Sequence, residues 1–313
     1  MGALVCGHAP IDLASGAPQP ADARLAVADC GSFSAAALQL GRQQSSVSHA
    51  VRVAERALGT QLFRRHAGGA TLTPEGEQVL VHARQAAHAL DAMALSAGTG
   101  LRGTLRIVSC RSILRHVVTP ALPDFLARHP QVQVTLQDTS GEHDEIEAIV
   151  SQGKAHLGLG RLPMCADLIS VPLLADEYLI ISSAQQLPIR TWAELNAARY
   201  LLCDEDCAPV IAAHIGRYSH VPQPHLRLRD VGVVLGMVAQ GLGYTVLSRL
   251  VVTPLAPGLR LQSLPEPLWR TVGIVTTPVC HQHPLVQAFQ GGGAQSGRAR
   301  QPGRCPATEP AHL

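Results

Sequence analysis

Between Gly31 and Arg65 the chain reads GSFSAAALQLGRQQSSVSHAVRVAERALGTQLFRR, and this stretch restricts the possible folds more than any other. Ser34 to Leu40 is alanine-rich, begins beside serines that can cap a helix, and stops at Gly41, the residue type that most readily ends one. A second helix is expected from about Gln44 to Leu58, stopping at Gly59. Its apolar residues Val47, Val51, Ala54 and Leu58 lie four, three and four apart, so they form a single stripe that can pack on the first helix. At about 100° per residue, Ser45, His49, Arg52 and Arg56 fall on the opposite side.

An outer face of this kind offers hydroxyl and imidazole groups to base edges near the helix start, and guanidinium groups to phosphates further along. On an isolated helix a charged face is usually just a solvated one. Here the charge is concentrated: Arg42, Arg52, Arg56, Arg64 and Arg65 meet one acid, Glu55, in a chain whose net charge is only +2. A local cationic footprint is what a duplex-binding surface requires.

The segment resembles the winged helix-turn-helix of the LysR-type transcriptional regulators. The matching pieces are Gly31-Ser32-Phe33, the alanine run after it, Ser48 to Val51, Glu55, Leu58-Gly59, Leu62-Phe63-Arg64-Arg65, and Thr71 through Gly76. The resemblance implies double-stranded DNA as a partner, contacted by Gln44, Ser45, Ser46, Ser48, His49, Arg52, Arg56, Arg64 and Arg65. Two departures stand out. The opening helix carries Ala21, Arg24 and Leu25 where the family has an aromatic and leucines, which predicts a short or poorly anchored helix. Gln43 replaces the family's Ser or Thr cap, and its longer side chain loses more entropy in folding back.

After Thr73-Pro74-Glu75-Gly76, a sequence suited to a helix start, a helical pattern continues to about Ala94. Val79, Ala83, Ala86, Leu90 and Met93 alternate steps of four and three, the seam of a two-helix coiled coil. Such a seam implies a dimer that places two reading helices about one DNA turn apart. Gly98 to Gly103 reads as a hinge.

Beyond it, strand-like runs at 104–109, 132–136, 156–160, 178–182, 200–203, 244–247 and 271–275 alternate with helical patterns at 117–128, 142–152, 208–218 and 231–240. That alternation predicts parallel sheets covered by helices, with ligands at the strand C-terminal ends. This region, to about residue 290, is similar to the family's effector domain, two α/β lobes of the periplasmic-binding-protein type with a small molecule held between them. The resemblance implies effector contacts at Ser112, which follows the first strand near a helix start, at Ser140 and Glu142, and at Cys203 with Asp204. Each of these can equally be a cap or turn residue. Arg111 and Arg115 flank Ser112 and favour an acidic effector.

The expected organisation is α/β with an N-terminal winged helix-turn-helix: a disordered segment over 1–20, the DNA-binding domain over 21–76, a linker dimerisation helix over 74–97, the two-lobed effector domain over 103–290, and a Gly/Pro/Arg-rich disordered tail over 291–313. No run of 18 apolar residues is present, and the start MGALVCGHAPIDLASG lacks a basic n-region, so neither a membrane span nor a secretion signal is expected and the chain reads as cytoplasmic. Eight scattered cysteines in a chain of this size favour reduced thiols. Cys203-Asp-Glu-Asp-Cys207 could switch by oxidation or hold a metal, but its acids disfavour a thiolate; Cys280-His-Gln-His283 is a weaker metal candidate. No catalytic constellation, metal site or cofactor motif has convincing context. The expected function is a regulator controlled by a small-molecule effector, acting as a homodimer or homotetramer with RNA polymerase. The alternative is a solute-binding protein without DNA function.

Overall fold

The computed structural model describes residues 20–98 and 100–298, with side chains over 23–98 and 100–292. It divides into two compact units, 1–87 and 88–313.

The first unit contains helices α1 (Pro20–Cys30), α2 (Phe33–Gln39) and α3 (Gln44–Leu58), the hairpin β1 (Phe63–His66) and β2 (Gly69–Leu72), and the start of α4 (Pro74–Ser96). Its core gathers Ala23, Ala26 and Val27 of α1, Phe33, Ala36 and Ala37 of α2, Val47 and Val51 of α3, and Leu62, Phe63 and Leu80. The opening helix is therefore neither short nor loose. Ala23, Ala26 and Val27 repeat at three and four residues, and side chains this small let the helices approach closely without an aromatic anchor. The Arg84 guanidinium, itself buried, also pairs with Asp29 of α1 at 2.7 Å.

Ser32 caps α2 by accepting the amide of Ala35, and Gly59 ends α3 in the left-handed conformation at φ 67°. Gln43 sits in the extended conformation of a cap residue but makes no side-chain bond to the helix, as its sequence predicts. The apolar stripe of α3 holds at Val47 and Val51, weakens at the half-buried Ala54, and fails at Leu58, which is exposed at the terminal turn. Glu55 is not a counter-charge to the arginines. It accepts the amides of Leu62 at 2.8 Å and Phe63 at 3.3 Å and pins the hairpin to the helix. Thr73 caps α4 by accepting the Gly76 amide at 2.9 Å. At Gly76 an added Cβ would meet the Leu62 carbonyl oxygen, so the glycine is required by close backbone approach.

α4 runs 23 residues, about 34 Å of helix. Along its expected seam Val79, Ala83 and Leu90 are half-buried, and Ala86 and Met93 are exposed.

The second unit carries β3 (Gly103–Cys110), α5 (Arg111–Ile113), a π-turn over Leu114–Val118, α6 (Thr119–Arg128), β4 (Val132–Thr139), α7 (Asp144–Ser151) and β5 (Leu157–Leu162). It continues with the long strand β6 (Ile169–Ser183), α8 (Trp192–Ala197), β7 (Tyr200–Cys203), α9 (Ala208–Tyr218), β8 (Pro224–Leu228) and α10 (Val231–Ala239). β9 (Thr245–Ser248), α11 (Arg249–Val252), β10 (Leu259–Thr276), α12 (Pro278–His281) and α13 (Pro284–Arg298) complete it.

The main sheet has the order β4-β3-β5-β10-β6-β9. Pairing is parallel among β4, β3 and β5, but β10 runs antiparallel to both β5 and β6, and β6 antiparallel to β9. The expected all-parallel arrangement is thus corrected to a mixed sheet. The reason is that β6 and β10, 15 and 18 residues long, serve two lobes each. β10 pairs β5 through 271–275 in the first lobe and the far half of β6 through 259–263 in the second. The second lobe adds the parallel pair β7 and β8, with β7 bridged to Tyr244. Separate apolar cores lie in the two lobes, one around Phe125 and Phe289 and another around Tyr178, Tyr200 and Tyr244.

At the C-terminus α13 continues through Gly291 to Arg298, so the expected disordered tail does not begin at 291. The rest of that expectation, 299–313, lies outside the described residues, as does the N-terminal one over 1–19.

Candidate nucleic-acid interface and ligand cleft

On the first unit, Ser45, His49, Arg52 and Arg56 are exposed together along one face of α3, with Gln44 and Ser46 exposed at its start. Arg52 and Arg56 each fold one guanidinium N–H back to a carbonyl one turn earlier, Ser48 at 3.3 Å and Arg52 at 3.4 Å, leaving their other N–H groups outward. Arg64 and Arg65 project from β1, whose exposed residues follow the buried Phe63. Ser48 departs from its expected role: it is buried, at 8% exposure, and its hydroxyl accepts a bond from Arg65 at 3.2 Å. It lies one position from the Val47 stripe and so turns inward. The same Arg65 guanidinium stacks over the Phe33 ring at 3.8 Å, which orients a hairpin cation from the core side.

The second unit holds a cleft of about 840 Å³ between its lobes, at the C-terminal ends of the parallel strands. One wall carries Arg111, Ser112 and Arg115 after β3, and Ser140, Glu142 and Glu145 after β4. The other carries Asp204, Glu205 and Asp206 after β7, with Arg229 and Asp230 after β8. Of the expected effector contacts, Ser112, Ser140, Glu142 and Asp204 line this space.

Their states differ. Ser112 is half-buried at the start of α5, its hydroxyl 3.5 Å from the Cys110 sulfur. The Ser140 hydroxyl donates to Glu145 at 3.3 Å, and Asp204 sits 3.6 Å from Arg227. Glu142 lines the cleft, but its carboxylate is engaged behind it. It accepts from Arg161 at 2.9 Å and from the Tyr178 hydroxyl at 2.6 Å, and it is ion-paired with Arg270. Arg270 in turn grips Asp176 through two N–H groups at 3.0 and 2.7 Å. Burial pushes the Asp176 carboxyl up to about 6, against the Leu250 amide and the Arg249 charge that favour its ionised form, and burial pushes the Arg270 guanidinium down to about 10. Glu142 is thereby part of a buried charge cluster that joins the cleft floor to the crossing strands β6 and β10.

Cys203 is not a cleft residue. It is buried in an apolar cluster with Leu201, Val234 and Leu247, because β7 alternates sides and Asp204, one residue on, takes the outward position. Burial pushes the Cys203 and Cys207 thiols up to about 12, and the neighbouring acids add to that shift. The two cysteines belong to different cores. Cys280 is buried against His88, 2.9 Å from its ring nitrogen. Among the described residues no group of histidines, cysteines and acids has a metal-binding arrangement. Sequence reasoning missed Glu205, Asp206, Arg229 and Asp230 as cleft residues. The Asp204-Glu205-Asp206 run was visible, but which wall it would face was not.

A family described as "Bacterial regulatory helix-turn-helix protein, lysR family" matches residues 23–77, and one described as "LysR substrate binding domain" matches 98–291. The chain belongs to the LysR family of transcriptional regulators. It is 34% identical over 271 residues to the "Probable HTH-type transcriptional regulator LrrA" of Synechococcus elongatus, covering 84% of this chain and 92% of that one. It is 28% identical over 271 residues to a "Probable hydrogen peroxide-inducible genes activator" of Mycobacterium avium, covering 80% and 85%. The fold is shared with full-length OxyR of Pseudomonas aeruginosa, with a TM-score of 0.70 at 20% identity over 90% of this chain and 97% of that one. ArgP of Mycobacterium tuberculosis gives 0.65 at 18% over 89% and 96%. The protein is accordingly a LysR-type DNA-binding transcriptional regulator with an effector-binding domain, and the solute-binding alternative is not favoured. Among the described residues no helix is long and apolar enough to cross a membrane.

Proposed function

We propose that Gln44, Ser45, Ser46 and His49 read base edges, and that Arg52, Arg56, Arg64 and Arg65 hold phosphates on either side of them. The observation that carries this reading is the shared exposure of Ser45, His49, Arg52 and Arg56 on the helix face opposite Val47 and Val51. A fold relative, full-length CbnR, is described as complexed with its target DNA, which supports the same use of the unit (TM-score 0.52). Two copies joined through the half-open α4 seam present two such faces, as a dimer or a dimer of dimers acting with RNA polymerase in the cytoplasm. The protein carries no resident cofactor and catalyses no reaction.

The effector is a small molecule held in the interlobe cleft, with Ser112, Ser140 and Asp204 among its contacts, and it shifts the lobes between two arrangements. Peroxide sensing through Cys203 and Cys207, which the name of one relative raises, is disfavoured by thiols pushed to about 12, because the thiolate is the reactive form.

Repeated rounds of selection from random duplexes test the reading of DNA. The full-length protein should enrich a two-half-site sequence. His49→Ala and Ser45→Ala should flatten preference at one or two positions per half-site, each base contact being worth about 1–3 kcal/mol. Enrichment of no sequence, or variants with unchanged preference, would overturn it. For the cleft, Ser112→Ala should retain DNA binding and blunt induction in a reporter strain.

A further inference from the structure

The acidic run between Cys203 and Cys207 does not act through its neighbouring thiols; it reaches across the cleft. One carboxylate oxygen of Asp206, in the second lobe, accepts the amide of Glu142 at 2.9 Å and that of His143 at 3.0 Å. Those amides belong to the cap residue of α7, His143, and the residue before it, at the entry to the helix in the first lobe. Gly141 borders the same seat: an added Cβ there would lie 3.2 Å from the Asp206 oxygen. Glu205 lines the same cleft; burial pushes its carboxyl up, and the charge of Arg111 opposes that shift. Both walls mix charges, Glu145 standing near Arg111 and Arg115 on the first and Arg229 beside the acids on the second, but at the contact itself amide donors of the first lobe meet a carboxylate of the second.

We propose that Asp206 is a built-in occupant of an anion seat on the first lobe, that it latches the unliganded cleft, and that the effector is an anion which takes its place. This rests on the cleft being the effector site. A carboxylate-bearing ligand offers amides 142 and 143 the acceptor that Asp206 now supplies, and Arg111 and Arg115 lie on the same wall. Once displaced, the Asp206 carboxylate faces a bound negative charge, and the contact that held the two lobes together becomes a repulsion. Ligand entry thus changes the lobe arrangement, which is what a regulator needs from its effector.

The test uses the full-length protein, its Asp206→Ala variant, and Asp206→Asn as an isosteric variant that keeps an acceptor without the charge. Hydrogen exchange at amides 142 and 143, without ligand, should rise about tenfold in Asp206→Ala and less in Asp206→Asn. Succinate and inorganic phosphate, titrated by calorimetry, should bind Asp206→Ala about tenfold more tightly than the parent, since an occupied seat lowers apparent affinity by the fraction of time it is closed. Unchanged exchange, or unchanged anion affinity, overturns the proposal. Binding of a diamine such as putrescine in place of the anions, weakened by Asp206→Ala, also overturns it and makes the acidic wall the ligand contact. Failure of the cleft reading looks different: a screened ligand whose affinity ignores both Ser112→Ala and Asp206→Ala binds elsewhere and removes both.

Discussion

Along α3 and β1 the arginines are exposed, whereas in the sensor unit Arg270 is enclosed between Asp176 and Glu142 with its side chain 1% exposed. The same residue type does opposite work. On the recognition helix the charge of Arg52 and Arg56 is kept available for a partner, and removing it takes little from the fold. In the sensor the charge is spent within the molecule, tying the cleft floor to the two strands that cross between lobes. Exposed cations report a binding surface, and enclosed ones report the internal wiring of a cleft.

The largest expected effect lies on the enclosed side. Arg270→Met should leave Asp176 and Glu142 buried without their main counter-charge, and breaking a buried pair in this way costs roughly 3–5 kcal/mol. Trp192 and Trp269 are the only tryptophans and both lie in the sensor, so tryptophan fluorescence in urea isolates this unit from the reading head. A loss below about 1 kcal/mol would mean that the cluster is not a structural element of the cleft.

These two regions also differ in how far the sequence discloses them. Val47, Val51, Arg52 and Arg56 follow from one helical period, and Gly41, Gly59 and Thr73-Pro74 mark ends that the structure reproduces within a residue or two. Ser48 was misplaced because it sits at the edge of the stripe, where a small rotation decides between core and solvent. The first helix was undervalued because alanines carry little hydrophobic signal yet pack closely. In the sensor the strands were legible as apolar runs, but Arg270 and Asp176 are 94 residues apart and Asp206 and His143 are 63 apart. No local period encodes such pairings. Cys203 was expected in the cleft for the same reason, since only the strand's register decides which of two adjacent residues faces it.

Titration sharpens the contrast. His156 is buried between His88 and His283, and burial with those neighbours pushes its pKa down to about 2; burial lowers His283 as well. A histidine lowered in the fold stays neutral there, while the unfolded chain takes up its proton below about 6.5. This contribution to stability is therefore complete above pH 6.5 and is lost as the pH falls towards 2. At pH 5 the His156 contribution should be smaller by about 2 kcal/mol than at pH 7, at about 1.4 kcal/mol per pH unit for one proton. It is read as the difference between the parent and His156→Asn, because Asp176, raised to about 6, acts with the opposite sign. His156→Asn should remove roughly one proton from the slope. Equal pH slopes for the parent and His156→Asn from pH 7 to 5 in the tryptophan-reported transition would show that the histidine finds a partner when charged.

In the reading head the effects become local. Gln43 already has the extended conformation of a cap, at φ −74° and ψ 142°, but gives the helix no side-chain acceptor. Gln43→Thr should stabilise the start of α3 by about 1 kcal/mol, read as slower hydrogen exchange at Ser45 and Ser46. The tryptophan transition of the sensor should not move. Unchanged exchange would place the weak point of the recognition helix elsewhere than its first turn.

The smallest effect on stability should accompany a large effect on binding. Arg52 is exposed and returns only one N–H to its own helix, so Arg52→Ala should shift thermal unfolding by less than about 0.5 kcal/mol. Its loss should nonetheless weaken binding to any duplex and reduce the slope of log affinity against log salt by about one, the signature of one phosphate contact. Arg65→Ala makes the counterpart. That guanidinium also holds Ser48 and covers Phe33, so its removal should lower both affinity and stability. If Arg52→Ala left the salt slope untouched, the outward cations of α3 would be solubilising charge only, and the distinction between available and enclosed arginines would lose its functional meaning.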